Sequence, residues 1–289
     1  MSLNLVLQYL LPQHILSRLV AKIANCRVSL LKNFIISQYC KFYNIDMSDA
    51  FEPNPLNYST FNDFFTRALK PNARPITDDP KAIISPVDGK IWQIGKVNAN
   101  QLINAKGKSY TLEQLIADNK DTAQFHNGNF VVLYLAPYNY HRIHMPIEGK
   151  LRLMRYIPGK LFSVNPKIVN HIPDVFAKNE RVVAMFDTAI GPVMMILVGA
   201  MIVGSIETKW AGVVTPNKQT ALTNWDYSRE NIAFERGMEM GSFKLGSTVI
   251  LLFPEKTVLW DAALQQNTPI KMGQRLGEMW HGRHPELTT

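Results

Sequence analysis

Two apolar stripes with helical spacing open the chain. One precedes Pro12 and the other follows it; their members are Leu3, Val6, Leu7, Leu10 and Leu11, then Ile15, Leu16, Leu19 and Ile23. Apolar residues at intervals of three and four are typical of amphipathic α-helices. Basic residues accompany both stripes, and the first acidic residue is Asp46. Residues 1–48 are therefore predicted to form basic helices that either pack on the rest of the chain or lie on an anionic membrane.

The pattern changes after this segment. Thr60, followed three residues later by Asp63, predicts a capped helix over residues 60–69. From Ile83 onward the apolar residues form short runs of strand type separated by glycine and proline, namely 83–84, 90–94, 130–135, 182–186, 193–198, 201–206 and 249–253. The expected architecture is α+β, with a helical N-terminal segment followed by a mostly antiparallel β catalytic domain over residues 49–289.

Composition narrows the class of protein. The chain has 289 residues, of which 46% are hydrophobic, so it can bury a substantial core. The formal net charge of +8 favours an anionic partner, either nucleic acid or an acidic membrane surface. No run reaches the roughly 18 consecutive apolar residues of a transmembrane helix. Cys26 and Cys40 lack the spacing of a disulfide framework or a zinc site.

The most informative segment is Gly246-Ser247-Thr248, directly before the apolar run 249–253. A serine hydroxyl after a glycine carbonyl can attack that carbonyl and turn the amide into an ester, if a base takes its proton and the oxyanion is stabilised. The same three residues also suit an ordinary turn into a buried strand. These three residues do not distinguish self-cleavage from a simple turn, so the distinction depends on which other residues could act with Ser247.

Candidate partners for this serine lie in two turns. Asp88 occupies the Asp-Gly turn of residues 85–89, and His141 and His144 stand three residues apart between two prolines. Neutral histidine is the usual proton carrier near pH 7, and a carboxylate commonly orients it. Asp88, His144 and Ser247 are thus a candidate acid-base-nucleophile set, whatever their order in the chain. Two histidines without a third ligand do not predict a metal site.

Six segments in this order resemble the phosphatidylserine decarboxylases, a family of pyruvoyl-dependent enzymes. They are residues 60–67 (TFNDFFTR), 85–89 (SPVDG), 140–144 (YHRIH), 161–165 (LFSVN), 179–181 (NER) and 245–248 (LGST). Any one of these motifs is weak evidence, but their combination and order are specific. The resemblance covers about residues 61–254 and leaves the N-terminal segment unmatched.

The resemblance implies a role for each candidate residue. Asp88 would orient and charge-stabilise His144, and His144 would deprotonate Ser247 for attack on the Gly246 carbonyl. Self-cleavage would give a larger chain of residues 1–246 and a smaller one of residues 247–289, with a covalent pyruvoyl group derived from Ser247. The remaining candidates are His141 for placing the substrate carboxylate or reprotonating the product, and Tyr140 and Ser163 for the same pocket.

The implied reaction converts phosphatidylserine to phosphatidylethanolamine through a Schiff base to the pyruvoyl group. A lipid substrate requires membrane access, so the resemblance implies peripheral attachment at the cytoplasmic face of the cell membrane, and also a homodimer. One alternative is a serine hydrolase that uses Asp88, His144 and Ser247 without self-cleavage, although Ser247 lacks a Gly-x-Ser-x-Gly elbow. Another is a basic lipid-surface binding module; no nucleic-acid motif is present, so nucleic acid is not an expected partner.

Overall fold

The fold is known from a computed structural model that describes residues 8–9, 11–103, 109–169, 171–201, 205–215, 221–244 and 247–280. The α-helices are α1 (Gln13–Ala24), α2 (Ser29–Tyr43), α3 (Phe61–Phe65), α4 (Leu112–Ile116), α5 (Asn119–Thr122), α6 (Pro166–Val169) and α7 (Val175–Lys178). Short 3-10 helices cover Pro55–Asn57 and Ala123–Phe125.

The strands follow the helical N-terminal segment. They are β1 (Ala82–Ile84), β2 (Gly89–Lys96), β3 (Gln101–Ile103), β4 (Ser109–Thr111), β5 (Asn129–Leu135), β6 (Arg142–His144), β7 (Gly149–Ile157), β8 (Arg181–Thr188), β9 (Gly191–Val198), β10 (Ser205–Thr208), β11 (Gly212–Val213), β12 (Thr223–Asp226), β13 (Ala233–Phe234), β14 (Glu239–Lys244), β15 (Ser247–Phe253), β16 (Val258–Trp260), β17 (Pro269–Ile270) and β18 (Arg275–Met279). The paired strands run antiparallel, and the predicted α+β class is confirmed.

A large antiparallel sheet forms the centre of the protein. Its strand order is β12-β7-β8-β9-β15-β5-β2-β17, and β13 pairs with β7 at one side. β15 is a central strand between β9 and β5, and every one of its residues is buried. This explains why residues 249–253 are continuously apolar, since a central strand covered on both faces has no polar side.

The two faces of this sheet bury different cores. Val249 and Leu251 of β15 belong to one core, whereas Ile250 and Leu252 belong to the other, as the alternation of side chains along a strand requires. The first core also contains residues of β6, β10 and β14, which belong to a second sheet, and of β1 and β18, which belong to a third. The second core is closed by α4, α7 and the loop around Phe162.

Two predicted elements differ from the observed ones. The helix predicted over 60–69 ends at Phe65; Thr60 caps it by accepting a hydrogen bond from Asp63 N at 3.0 Å. The chain turns after Thr66, whose carbonyl accepts a hydrogen bond from Arg142 Nε at 2.8 Å and is therefore fixed outside the helix. In the run 201–206, Met201 lies in a turn, residues 202–204 are outside the described residues, and β10 begins at Ser205.

The N-terminal helices contact the body through a small aromatic core. Ile36 of α2 packs with Phe61, Phe64 and Phe65 of α3, and Tyr39 donates a hydrogen bond to the carbonyl of Pro137 at 2.8 Å. The division at residue 48 stays a prediction. No described helix is long and apolar enough to cross a membrane.

The apolar stripe of α1 faces outward. Ile15, Leu19 and Ile23 are exposed, whereas Gln13 and Ser17 on the opposite side are buried. These three residues do not pack on the described part of the chain, although other residues of α1 do. Membrane contact of the stripe stays a prediction. Residues 3–7 and 10 of the first stripe lie outside the described residues.

Candidate active site

Asp88 is held in a fixed position by an arginine. It precedes Gly89, where an added Cβ would lie 2.3 Å from the carbonyl oxygen of Tyr134, so only glycine fits the start of β2. Arg74 donates to both carboxylate oxygens of Asp88, from Nε at 2.9 Å and from Nη2 at 2.6 Å. The backbone N–H of Met272 adds a third bond at 2.8 Å. This bidentate pair fixes the carboxylate as an ionised acceptor.

His144 is a buried histidine with both ring nitrogens hydrogen-bonded. Nδ1 lies 2.8 Å from the carbonyl oxygen of Gly237, and Nε2 lies 2.9 Å from the hydroxyl of Tyr140. A carbonyl can only accept, so Nδ1 carries the proton and the neutral ring accepts from Tyr140 at Nε2. Burial lowers the pKa of His144 below its ordinary value, against the opposing effects of its backbone hydrogen bond and of Glu239 and Asp88. The ring is therefore neutral at pH 7, which is the form a general base needs.

His141 is fully buried and has one free nitrogen. Its Nδ1 donates to the carbonyl of Asn139 at 2.8 Å, which leaves Nε2 as an unprotonated acceptor without a hydrogen-bond partner among the described residues. The ring packs against Phe65 with a centroid separation of 4.0 Å. Burial lowers the pKa of His141 to about 3, so this side chain is uncharged at neutral pH.

Ser247 begins β15 opposite Leu135, the last residue of β5. It is fully buried, and its Oγ has no hydrogen-bond partner among the described residues. Alternation along β15 places Ser247 on the side of Val249 and Leu251, the side on which β6 and β14 pack. Gly246, the predicted cleavage position before it, lies outside the described residues.

The structure brings part of the candidate set together. His144 N donates to the carbonyl of Pro86 at 2.9 Å, so β6 lies beside the turn that carries Asp88. The charge of Asp88 reaches His144, where it raises the pKa. Within the described residues, however, no hydrogen bond joins Asp88 to His144 or His144 to Ser247, because Arg74 engages the first and Tyr140 the second. The roles assigned to these residues stay predictions.

Tyr140 and Ser163 differ in their surroundings. Tyr140 is buried, lies within hydrogen-bond distance of His144, and lines a cavity of about 350 Å³ together with Asp88. Ser163 N instead donates to Gln8 Oε1 at 2.9 Å, in the loop of residues 158–165 that contacts the N-terminal helices. The pocket role of Ser163 stays a prediction without a described contact to His144 or Tyr140.

Asn179, in the predicted motif 179–181, supports that loop. Its fully buried side chain accepts from Phe162 N at 3.0 Å and donates to the carbonyls of Phe162 and Gly199 at 2.8 and 2.9 Å. The next two residues are buried as well, and Arg181 donates to three backbone carbonyls. The motif thus holds the loop of residues 158–165 against the sheet.

Three residues of the site have contacts that were not predicted from the sequence. Arg74 fixes Asp88, Gly237 fixes His144, and Arg67 lines the same cavity as Asp88. Arg67 ends the segment 60–67, so its motif offered a signal. Arg74 and Gly237 act through long-range contacts, for which the sequence contains no local signal. Among the described residues, no cluster of three or more metal-ligating side chains is present.

Comparison with known proteins identifies the family. The family model described as phosphatidylserine decarboxylase matches residues 61–278, about three quarters of the chain. The chain belongs to the phosphatidylserine decarboxylase family. The predicted family and enzyme class are thereby confirmed, and the serine hydrolase and the non-catalytic binding module are not favoured. A second model, described as PSD, matches residues 3–44, a region in which the sequence motifs gave no match.

Relatives of this decarboxylase chain match it over nearly their full length. A protein of Bordetella avium is 50% identical over 93% of this chain and 92% of its own length. One of Shewanella frigidimarina is 49% identical over 94% and 96%, and one of Hahella chejuensis is 46% identical over 94% and 92%. Each of these three relatives is named phosphatidylserine decarboxylase proenzyme.

Proposed function

We propose that this chain converts phosphatidylserine to phosphatidylethanolamine after cutting itself between Gly246 and Ser247. Membership of the family and the proenzyme names of its relatives support both parts of the proposal. The observation that carries it is the fully buried Ser247 hydroxyl without a described hydrogen-bond partner at the start of a central strand. A buried polar atom without a partner is costly, and such groups are retained where chemistry needs them.

Self-cleavage uses the described side chains in a defined order. His144, neutral at pH 7, accepts the Ser247 proton, which requires Tyr140 to release Nε2. The hydroxyl oxygen then attacks the Gly246 carbonyl, and the peptide nitrogen leaves as the amine of an ester-linked residue. Loss of the α-proton of residue 247 breaks the ester C–O bond and gives a carboxylate at Gly246 and dehydroalanine at 247. Hydrolysis with loss of ammonia leaves a pyruvoyl group there.

Asp88 supports the cationic state that His144 passes through. Its charge acts on His144 through space, and Arg74 holds its carboxylate in place with two hydrogen bonds. A fixed anion near a base stabilises the imidazolium that forms when the base accepts a proton. Asp88 is thus a positioning residue for self-cleavage.

The surroundings of residue 247 fit a small carbonyl group. The buried Oγ of Ser247 lacks a partner among the described residues, so the position has no hydrogen bond that conversion of the side chain to a ketone would break. When formed, the pyruvoyl group supplies a ketone that condenses with the substrate amine and accepts the electron pair released with carbon dioxide.

His141 handles protons in this proposal. Its uncharged ring presents a lone pair at Nε2, which can accept a proton or an N–H bond but cannot pair with a carboxylate. A lone pair takes up a proton but cannot give one, so His141 can reprotonate the product only after Nε2 has accepted a proton. This role and placement of the substrate carboxylate both stay predictions.

Membrane attachment follows from the substrate and from the outer surface of the helices. A lipid with two acyl chains leaves a bilayer at a cost of about 0.8 kcal/mol per exposed methylene, so the enzyme must reach the membrane. Ile15, Leu19 and Ile23 of α1 are exposed, and Arg18 and Lys22 are exposed on the same helix. We assign this surface to the cytoplasmic face of the cell membrane. The homodimer expected from the resemblance stays a prediction for light scattering to test.

The proposed reaction is tested with phosphatidylserine in vesicles and the purified protein. Phosphatidylethanolamine and carbon dioxide should form in equal amounts, and cyanoborohydride added during turnover should attach the substrate covalently to the fragment that begins at residue 247. Ser247→Ala should show neither result. Release of fatty acid or of free serine by an uncut chain would instead support the hydrolase.

A further inference from the structure

Arg67 is a buried arginine whose guanidinium has no hydrogen-bond partner among the described residues. It follows α3, and only 6% of its surface is exposed. The guanidinium has five N–H donors and stays protonated in proteins. Among the described residues it makes no hydrogen bond or ion pair; its contact is with the face of the Phe64 ring, 5.6 Å from the ring centroid. A guanidinium that lines a cavity and has no described hydrogen-bond partner can bind an anion that enters there.

Arg67 lines the cavity of about 350 Å³ that also borders Asp88 and Tyr140. Burial lowers the pKa of Arg67, and this effect exceeds the opposing influence of Tyr58, Tyr39, Cys40 and Asp88. The cavity therefore places the Arg67 guanidinium, which can bind an anion, next to Asp88 and Tyr140 of the candidate active site.

The carboxylates of this cavity accept hydrogen bonds from groups other than Arg67, although the charges of Asp46 and Asp88 act on Arg67 through space. Asp49 and Asp88 both accept hydrogen bonds from Arg74, and Asp46 accepts one from Ser48 N at 2.8 Å. Arg74 and the exposed Lys271 line the same cavity, which therefore contains three basic residues including Arg67. An anionic group entering the cavity would thus meet a free guanidinium.

We infer that Arg67 binds the phosphodiester of the lipid headgroup and positions the substrate beside residue 247; this rests on the proposed function. A guanidinium offers parallel N–H donors that match two phosphate oxygens. The phosphodiester keeps its charge throughout the reaction, so binding it anchors the substrate without opposing the chemical step. A cation on the departing carboxylate would stabilise the ground state more than the transition state.

The position of the cavity agrees with a lipid substrate. Tyr43, the last residue of α2, lines it, and the preceding residue, Phe42, is exposed together with other apolar residues of the N-terminal helices. A headgroup can therefore occupy the cavity while its acyl chains remain near the apolar helix surface.

The test uses purified, processed enzyme and its Arg67→Gln and Arg67→Lys variants, with Arg152→Gln as a control. Arg152 forms a partly exposed ion pair with Asp187 on β7 and β8, so its loss changes the charge equally. Binding is measured by calorimetry with glycerophosphoethanolamine, which has the phosphodiester without the carboxylate, and with L-serine, which has the carboxylate without the phosphodiester. KM and kcat for vesicle phosphatidylserine are measured in parallel.

We expect Arg67→Gln to weaken glycerophosphoethanolamine binding at least tenfold and to raise KM by a similar factor, with kcat changed less than threefold and L-serine binding unchanged. Arg67→Lys keeps the charge but loses the paired donors, so it should weaken glycerophosphoethanolamine binding about threefold. This variant replaces Arg67→Gln in the test if the glutamine variant does not fold. Unchanged binding, or loss of L-serine binding instead, would overturn the inference. Binding of glycerophosphoethanolamine is measurable even if the wild type fails to decarboxylate, so the two proposals can fail separately.

Discussion

Replacing the outer residues of α1 should detach the protein from membranes without unfolding it. Ile15, Leu19 and Ile23 keep 58%, 53% and 49% of their surface exposed. They recur every four residues and so project from one side of the helix. The triple variant Ile15→Ser, Leu19→Ser and Ile23→Ser removes this apolar surface while leaving the buried side of α1 intact.

The expected loss follows from the exposed fractions. Full burial of a leucine or isoleucine contributes about 1.5–3 kcal/mol, and about half of each side chain remains available, so three residues contribute about 2–4 kcal/mol to membrane binding. At 1.4 kcal/mol per tenfold change, the triple variant should bind vesicles about 30-fold to 1,000-fold more weakly. The basic residues Arg18 and Lys22 add about 1 kcal/mol each on an anionic surface, a contribution that this variant retains.

The assay is flotation with vesicles that contain an anionic lipid, at about 0.1 M and about 1 M salt. Salt should weaken the wild type and the triple variant by the same factor, because it screens only the retained charges. A control variant, Val213→Ser, Leu222→Ser and Leu259→Ser, removes three exposed apolar residues from the β domain and should bind normally. Equal vesicle binding by the triple variant and the wild type, at equal thermal stability, would refute the assignment of this surface.

Three further predictions concern the candidate active site. Arg74→Gln should lower the free energy of unfolding by about 3–5 kcal/mol in urea titrations, because the buried Asp88 carboxylate loses its ion pair; an unchanged value would contradict this pairing. Gly237→Ala should cost about 1–3 kcal/mol and slow self-cleavage in a time course of fragment formation, since φ of +81° strains any other residue and the Gly237 carbonyl orients His144; normal cleavage would count against that orientation. His141 has a pKa of about 3 in the folded protein and about 6.5 in the unfolded chain. Between these pH values only the unfolded state takes up a proton, so the free energy of unfolding should fall by up to about 1.4 kcal/mol per pH unit as the pH drops below 6.5. Urea titrations from pH 7 to pH 4 should show a shallower slope for His141→Gln, and an equal slope would be inconsistent with a buried neutral ring.

The sequence was most informative about the centre of the sheet. The run 249–253 lacks polar positions because β15 is covered on both faces, and the predicted runs 130–135 and 193–198 are its two neighbours β5 and β9. Ser247 was also identified from its position between a glycine and this run. The sequence alone identifies these strands, because a strand that is buried on both faces is apolar at nearly every position.

The orientation of helix α1 and the contacts between distant side chains could not be predicted in the same way. The spacing of Ile15, Leu19 and Ile23 shows that they lie on one side of a helix. It does not show whether that side faces the core or points outward. Arg74 reaches Asp88 across a connector with several prolines, so no periodicity links the two residues. The bond between Tyr140 and His144, four residues apart, joins residues of an extended segment that enters β6, so helical spacing does not predict it.

The most direct test of self-cleavage is the intact mass of the purified protein under denaturing conditions, compared with Ser247→Ala. The wild type should give two fragments, residues 1–246 and residues 247–289, the smaller with a blocked N-terminus that reacts with a ketone reagent, and the variant should give a single uncut chain. A single full-length chain in a wild-type preparation that decarboxylates phosphatidylserine would contradict self-cleavage.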